Sequence, residues 1–571
     1  MNILSPDPGT VHQISRSLRC TPFTAKILVN RGITDTRQAQ TFLNATLGDI
    51  APPSIIKDMT VAVERIAKAL ADGEKILVFG DYDADGITAT ALMQTFFQAT
   101  GADIEVYIPH RIMEGYGLKP FHITDLAIKK GVNLIITVDC GSSSHQAAES
   151  CRQAGIDLII TDHHQMPDPA PDATAIINPS RPDCPSGLTA LSGVGVAFYL
   201  IIALRTHLRD QGFWRDTPEP NLKQYCDLVT IGTIADIVPL TGENRIFVKA
   251  GMAMINNICA PGIQAIIKAA RIKRKPLTAE DVAFAIAPRL NAPGRIDHAR
   301  TALELLTASD TDQTGSMART LDKLNTKRRL IEEEISDEIQ QMVGSDSTLR
   351  HNKAALVLAH RKWHQGVIGI AAARAAKRFQ MPVALITVNK DISVGSARSI
   401  PGINLYAAFS ECADLLEAYG GHAQAAGFKI KTHNIDRFDR QFNYIINRQM
   451  HPDITKRVLN IDAELTFNDI SEQLLDELEM LQPFGESHPE PLFIARNVHV
   501  HSSFCINNRH TKMMLMQPAS NNKQPVESIR FNTDPNQPVP KHFVSIAFRL
   551  RRNTWNSNNR PQLIIEAVLS A

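Results

Sequence analysis

A multidomain α/β architecture is what this sequence predicts, and three observations predict it. From about residue 75 to 178, near-continuous apolar runs alternate with helical stretches, the pattern of a parallel sheet covered on both faces. A second pattern of this kind occupies 353–450, beyond a long amphipathic stretch. After 491, short apolar runs such as Phe543-Val544-Ser545-Ile546-Ala547-Phe548 alternate with polar and basic turns, as in a small antiparallel β-barrel. At 571 residues the chain is too long for one core, and three or four domains is the expectation.

Taken in order, residues 1–50 read as a short helical segment, with Ile27-Leu28-Val29 followed by Arg31-Gly32-Ile33. A first α/β domain spans 51–310. Its strands are expected at 75–80, 103–109, 133–139, 157–161 and 173–178, and its helices at 87–100, 120–130 and 145–154. Gly101, Gly131 and Gly155 close those helices, as glycine commonly does. A mainly helical continuation runs from about 190 to 310. In 311–345, Leu321, Leu324, Ile331, Ile335, Ile339 and Met342 share one helix face among Lys327, Arg328, Arg329, Glu332, Glu333 and Glu334. This is a long connecting helix that would set the width of a cleft between two lobes. The second α/β domain is 346–452, opening with Ala354-Ala355-Leu356-Val357-Leu358, and the barrel domain is 453–571, entered through an acidic stretch at 462–490. No internal repeat is visible.

Composition excludes more than it identifies. Hydrophobic content of 44% and charged content of 21% are those of a globular protein, and a net charge of +1 gives no global sign of a nucleic-acid partner. The start, Met1-Asn2-Ile3-Leu4-Ser5-Pro6, has neither a basic n-region nor an apolar h-region, so secretion is not expected. No apolar run reaches transmembrane length. Eight cysteines without a Cys-x-x-Cys pair argue against a zinc ribbon or disulfide frame and fit a reducing cytoplasm.

The chemistry concentrates in Asp81-Tyr82-Asp83-Ala84-Asp85-Gly86. Three carboxylates at alternate positions become comfortable when hard cations sit among them. A calcium loop fails: its twelfth position is Leu92 instead of a bidentate Glu, and the preceding Lys75-Ile76-Leu77-Val78-Phe79 reads as a strand. In a doubly wound sheet, ligands bind beyond the carboxyl ends of the strands. There the run 134–138 delivers Asp139, followed by Cys140-Gly141, and the run 158–161 delivers Asp162-His163-His164. One Asp after a strand is often only a helix cap; three strands ending in acids or imidazoles at one edge are not. Carboxylate-rich, sulfur-free ligands suit manganese or magnesium better than structural zinc. Two such ions, with Asp139 as candidate bridge, fit in-line displacement at phosphorus, hence hydrolysis of a phosphate ester or anhydride.

These segments, Val78 through Gly86, Asp139-Cys140-Gly141 and Asp162-His163-His164, look like the motifs of the DHH phosphoesterase superfamily. Further matching segments are Arg111-(x)₃-Gly115-Tyr116-Gly117, Ala235 through Leu240, Arg289-Leu290-Asn291-Ala292-Pro293-Gly294-Arg295, Trp363 through Gly369, Gly395 through Ser399 and Gly420 through Gly427. They cover almost the whole chain in family order. The resemblance implies a two-metal site of Asp83, Asp85, Asp139, His163 and Asp236, with Asp81 close by. Asp236 rests on the resemblance alone. His164 then looks like a phosphate-side residue and Asp162 like an orienter of the histidines. Smaller members carry a His four residues before the first metal Asp; here it is Phe79, which puts the role of Asp81 in question.

For substrate binding, Arg111, Arg289, Asn291 and Arg295 are the candidates on the first lobe. Ser396, Arg398 and His422 are those on the second, which resembles a DHH-associated domain. The barrel resembles an OB-fold (oligonucleotide-binding fold), with Arg549, Arg551, Arg552, Trp555 and Arg560 near Phe543 and Phe548 as a single-strand platform. The resemblance thus implies a Mn²⁺- or Mg²⁺-dependent 5′→3′ exonuclease of single-stranded DNA that releases 5′-mononucleotides in recombination and repair. The expected state is a monomer, with a single-strand-binding protein and a helicase as partners and no membrane contact. Two other readings are a phosphatase or oligonucleotidase on short substrates, and a non-catalytic DNA-binding scaffold.

Overall fold

In the computed structural model, the described residues are 1–273, 276–345, 353–450, 458–518, 524–535, 537–553 and 559–570. The expected domain divisions after 345 and after 452 fall outside them.

The first lobe is built on five parallel strands: β1 (Ile76–Phe79), β2 (Ile104–Tyr107), β3 (Leu134–Val138), β4 (Asp157–Thr161) and β5 (Ala175–Ile177), in the order β2-β1-β3-β4-β5. Each lies within the run expected of it. Side chains alternate across the sheet as pleating requires, so Val78 and Ile136 enter one core while Leu77, Phe79 and Ile135 enter another. Both faces are therefore apolar, and β1 and β3 are buried along their whole length.

The helices that place functional groups are α1 (Ala84–Thr100), α2 (His145–Ala154), α3 (Gly193–Asp210), α4 (Cys226–Ala235) and α5 (Ala287–Ile296). Helix α1 begins three residues before the expected 87, because Asp83 caps it. The connecting helix α6 (Thr311–Ser345) has 35 residues and is about 50 Å long. Ala318 and Leu321 sit in the first lobe's core, whereas Ile335, Ile339 and Val343 sit with Trp363 in the core of the second lobe. One apolar stripe is thus shared between two bodies, which fixes their separation.

The second lobe carries β6 (Leu356–His360), α7 (Ile368–Phe379), β7 (Val383–Thr387), β8 (Ile392–Arg398), β9 (Leu416–Gly421) and β10 (Ala425–Lys431). The sheet order is β9-β10-β8-β7-β6, with only β6 and β7 parallel. The barrel consists of β11 (Ala463–Glu464), β12 (Phe493–Ile506), β13 (His510–Met516), β14 (Val526–Arg530), β15 (His542–Asn553) and β16 (Arg560–Ser570). Pairing of β12 with β15 closes its five long strands.

The first residues are helical (Pro8–Leu18, Pro22–Asn30, Thr36–Asn44) and share the barrel's core: Val11, Ile14, Ile27 and Leu28 pack with Leu474, Phe493 and Leu478. Asn2–Ile3 pairs in parallel with Asn460–Ile461, and Arg31 forms a bidentate pair with buried Asp462. The chain's two ends are therefore one unit. That unit meets the first lobe through Arg245, which donates to the carbonyls of Phe42, Gln482 and Pro483. Among the described residues no single helix is long and apolar enough to cross a membrane.

Candidate metal centre

The parallel strands bring their carboxyl ends to one edge, and the local backbone then spreads the acids apart. Asp81 follows β1 and is buried. Asp83 caps α1, its Oδ1 accepting from the Asp85 and Gly86 amides at 3.0 and 3.1 Å. Asp85 lies in the first turn of α1, where its carboxylate accepts from Gly193 N (2.6 Å) and Val194 N (3.0 Å) at the start of α3. Asp139 leaves β3 at φ +60°, in the left-handed region. Asp236 ends α4 as its C-cap. Two glycines make room. A Cβ at Gly193 would stand 2.4 Å from Asp139 Oδ1, and one at Gly232 would stand 2.6 Å from Asp85 Oδ1. The sequence reading missed Gly193, Val194 and Gly232; a Ser-Gly-Val-Gly run opening a helix was the only signal.

The ligand atoms form three overlapping groups, and that of Asp139, Asp162, His163 and His164 shares one residue with each of the other two. Asp81, Asp83 and Asp139 can present oxygens within 4.8 Å of one another, and the ligand atoms of Asp85, His163 and Asp236 lie equally close together. His163 Nε2 lies 3.1 Å from Asp139 Oδ1 and 3.6 Å from Asp236 Oδ2, so Asp139 stands between the groups. Asp81 Oδ1, Asp139 Oδ1 and His163 Nε2 are buried and none makes a hydrogen bond. Buried polar atoms are normally satisfied, and three orphans facing one space fit a bound cation.

Electrostatics agree. Burial, then mutual repulsion, holds the carboxyls of Asp81 and Asp139 well above the ordinary range. Burial and the charges of Asp85 and Asp83 push Asp236 up to about 9. Asp85 rises to about 7 through burial and Asp83, despite its two amide donors. Positive charge among them would let them ionise together. Burial and the charge of His164 lower His163 to about 4, leaving a neutral imidazole fit to be a ligand. His164 differs: burial opposes its charge, but the bond from Nδ1 to Asp162 Oδ1 (2.7 Å) and the surrounding carboxylates carry it up to about 9. Asp162 is also buried, yet His164, His163 and the Ser142 amide keep it ionised. The donor set is oxygen-rich with one imidazole. Cys140 is buried, its Sγ directed at the Phe79 carbonyl, so the set suits Mn²⁺ or Mg²⁺.

Phe79 is core. Its ring packs on Tyr107 and His122, with centroids 5.7 and 4.8 Å away, on the face opposite Val78. Asp81, by contrast, stands within ligand reach of Asp83 and Asp139.

Across the cleft, the His422 ring lies nearly parallel to that of His164, with centroids 6.3 Å apart. Arg111 stacks on Tyr82 at 4.8 Å. Burial and then the charge of Arg111 lower Arg295 to about 9 and Arg398 to about 10. Arg398 donates to Ser396 Oγ at 3.1 Å. None of the three pairs with a carboxylate within 4.0 Å among the described residues. Arg328 of α6, not anticipated as a site residue, adds its charge beside Arg295.

Two expected binding residues are engaged inside the first lobe instead. Arg289 pairs with Asp322 of α6 at 2.7 Å and donates to the Ala285 carbonyl. The Asn291 side-chain carbonyl accepts from Ala84 N at 2.8 Å and steadies the start of α1. The expected barrel platform also needs correction. Arg551 is held by Glu490 and Glu280, Arg549 by Glu490 and Glu566, and Arg552 by Glu472, Asp476 and Glu479. Phe543 and Phe548 are buried, and Trp555 lies outside the described residues. Exposed aromatics instead occupy the β12–β13 end: Phe504 is 54% exposed with Lys512 Nζ 6.0 Å from its ring centroid, and Phe531 is 49% exposed beside His510.

Comparison with known proteins adds the family. The model of the DHH family, N-terminal domain, matches residues 75–233, that of the DHHA1 domain 352–448, and that of the RecJ OB domain 461–567. The single-stranded-DNA-specific exonuclease RecJ of Bacillus subtilis (strain 168) is 35% identical over 571 residues, 99% of this chain and 70% of that protein. Its Salmonella typhimurium counterpart is 35% identical over 564 residues, covering 96% of each. A crystal structure of RecJ from Thermus thermophilus in complex with Mn²⁺ matches with a TM-score of 0.85 at 28% identity, over all of this chain and 79% of that one. This chain belongs to the RecJ family of DHH phosphoesterases.

Proposed function

We propose that this chain is a metal-dependent exonuclease that hydrolyses single-stranded DNA from the 5′ end and releases 5′-mononucleotides. The carrying observation is the pairing of two surfaces: buried carboxylates with orphaned oxygens beside Arg111 and Arg295 on the first lobe, and Arg398 with His422 on the second, none of these guanidiniums having a carboxylate partner within 4.0 Å among the described residues. Asp81, Asp83 and Asp139 would hold one ion, and Asp85, His163 and Asp236 the other, with Asp139 shared. Two Mn²⁺ or Mg²⁺ ions, when bound, supply an activated water and neutralise charge on the attacking and leaving oxygens.

The chain's own residues do the rest. Asp162 fixes the His164 ring through Nδ1 and keeps it protonated, so that Nε2–H can donate to a non-bridging phosphate oxygen. Arg295 and Arg398 are desolvated cations with Arg111 beside them, and a phosphate arriving there meets weakly screened positive charge. The approach of His422 to His164 narrows the cleft beside the metal centre, which supports strand selection by width instead of base reading. The exposed Phe504, Lys512 and Phe531 of the barrel suit stacking of single-strand bases. The 5′→3′ direction rests on family membership. The same reading makes the chain a cytoplasmic monomer acting with a helicase and a single-strand-binding protein in recombination and repair.

The test uses single and double strands labelled at either end, with Mn²⁺, Mg²⁺ or chelator. Mononucleotides should appear first from the 5′ label of single strands, and only with metal. Release from the 3′ end first, or hydrolysis in chelator, would refute the reading.

A further inference from the structure

Tyr116 has the metal centre on one side and a second concavity on the other. Its hydroxyl donates to the Asp139 carbonyl at 3.2 Å and lies 3.2 Å from His164 Nδ1. The same residue lines a groove of about 650 Å³ bounded by the segment after Tyr116 and the first turn of α2. No carboxylate lines this groove, although the neighbouring centre is crowded with them.

The groove wall is built to receive an anion. The amides of His145, Gln146 and Ala147 open helix α2 and have no partner within it. A helix start of this kind favours negative charge. Ser144 precedes them, is only 9% exposed and lines the groove, and its hydroxyl makes neither a capping bond nor any other hydrogen bond. Lys119 stands opposite, one of its ammonium donors spent on the Glu114 carbonyl. Lys429 on β10 of the other lobe is near enough for its charge to oppose that of Lys119. Phe121 offers a 41% exposed ring at the rim.

We propose that this groove binds a deoxynucleoside 5′-monophosphate. The phosphate sits on the amides of α2 with the Ser144 hydroxyl and the Lys119 ammonium, and the base lies on Phe121. That the occupant is the enzyme's own product rests on the exonuclease reading above; the site itself does not. A phosphomonoester released beside Asp139 would pass Tyr116, and a groove that no carboxylate lines among the described residues would draw it from the metal centre's acids.

The experiment is equilibrium dialysis of labelled dAMP against the full-length chain in chelator, which removes binding through metal. The variants are Lys119→Ala and Phe121→Ala, neither of them in the metal centre. Wild type should bind dAMP saturably, and each variant should bind it at least about tenfold more weakly. Inorganic phosphate should lose affinity with Lys119→Ala only, and deoxyadenosine should not bind. In the nuclease assay, added dAMP should slow wild type more than either variant. Absence of saturable dAMP binding, or binding indifferent to both substitutions, would overturn the site. A chain that binds dAMP there but hydrolyses no DNA would overturn the exonuclease reading and leave a nucleotide site standing.

Discussion

His164 and His422 face each other across the interlobe cleft, ring centroids 6.3 Å apart and planes 16° from parallel. One ring carries charge, held by Asp162 and the nearby carboxylates; the other is kept neutral by burial and by His164. A phosphate at the common edge of the two rings would meet donors from both lobes. His422→Ala should lower kcat/KM on single-stranded DNA by about a hundredfold, the usual effect of losing one donor to a developing oxyanion. Mn²⁺ affinity and the melting temperature should stay at wild-type values; steady-state kinetics beside a metal titration checks this.

The barrel's cation–aromatic surface is displaced from where the sequence places it. The arginines of β15 lie beside phenylalanines in sequence, but their partners are acids 59 to 80 residues earlier, Glu566 on β16, or Glu280 in another domain. Phe504→Ala combined with Phe531→Ala should therefore weaken single-strand binding by roughly 1–3 kcal/mol per lost stack. Arg551→Ala should leave binding largely unchanged and lower stability, since it leaves buried Glu490 with Arg549 alone and frees Glu280. Fluorescence anisotropy with a labelled oligonucleotide, together with thermal melts, separates the two effects.

Such displacements mark where sequence reading stops. The inner strands were legible because they are buried on both faces and read as apolar runs, as Leu134–Val138 does. Asp139 and Asp162-His163-His164 were legible because they end those strands. Asp236 was not, for it ends a helix buried on all sides that has no periodicity to orient it. The engagement of Arg289 with Asp322, and of Asn291 with Ala84, depends on packing between distant segments that no local pattern encodes. Nor could spacing tell that the first fifty residues complete the barrel's core.

His488 makes stability depend on pH. It is 1% exposed, its Nε2 donates to the Leu481 carbonyl, and burial lowers it to about 4. The unfolded chain takes up that proton near pH 6.5, whereas the folded chain resists until about 4. Stability should therefore be full above about pH 6.5 and fall through the window down to about 4, by up to about 3 kcal/mol from this group. His488→Gln should flatten that part of the profile, as read by urea denaturation at about pH 8, 6 and 4.5. An unchanged slope would refute the assignment.

Ile237 is held at φ +60° while its side chain is 70% exposed, directly after Asp236. A β-branched residue pays for that backbone without recovering it in packing. Ile237→Asn, which tolerates the left-handed region, should raise stability by about 1 kcal/mol. A lower melting temperature would show that the side chain is anchored after all.

Asp139 groups with Asp81 and Asp83 and lies 3.1 Å from His163, which groups with Asp85 and Asp236. The most direct test titrates Mn²⁺ into metal-free wild type and Asp139→Asn and follows hydrolysis of a 5′-labelled single strand in the same samples. Wild type should take up two ions and release mononucleotides; the variant should keep its fold, lose at least one ion and lose hydrolysis. Wild-type hydrolysis by Asp139→Asn would contradict the two-metal centre.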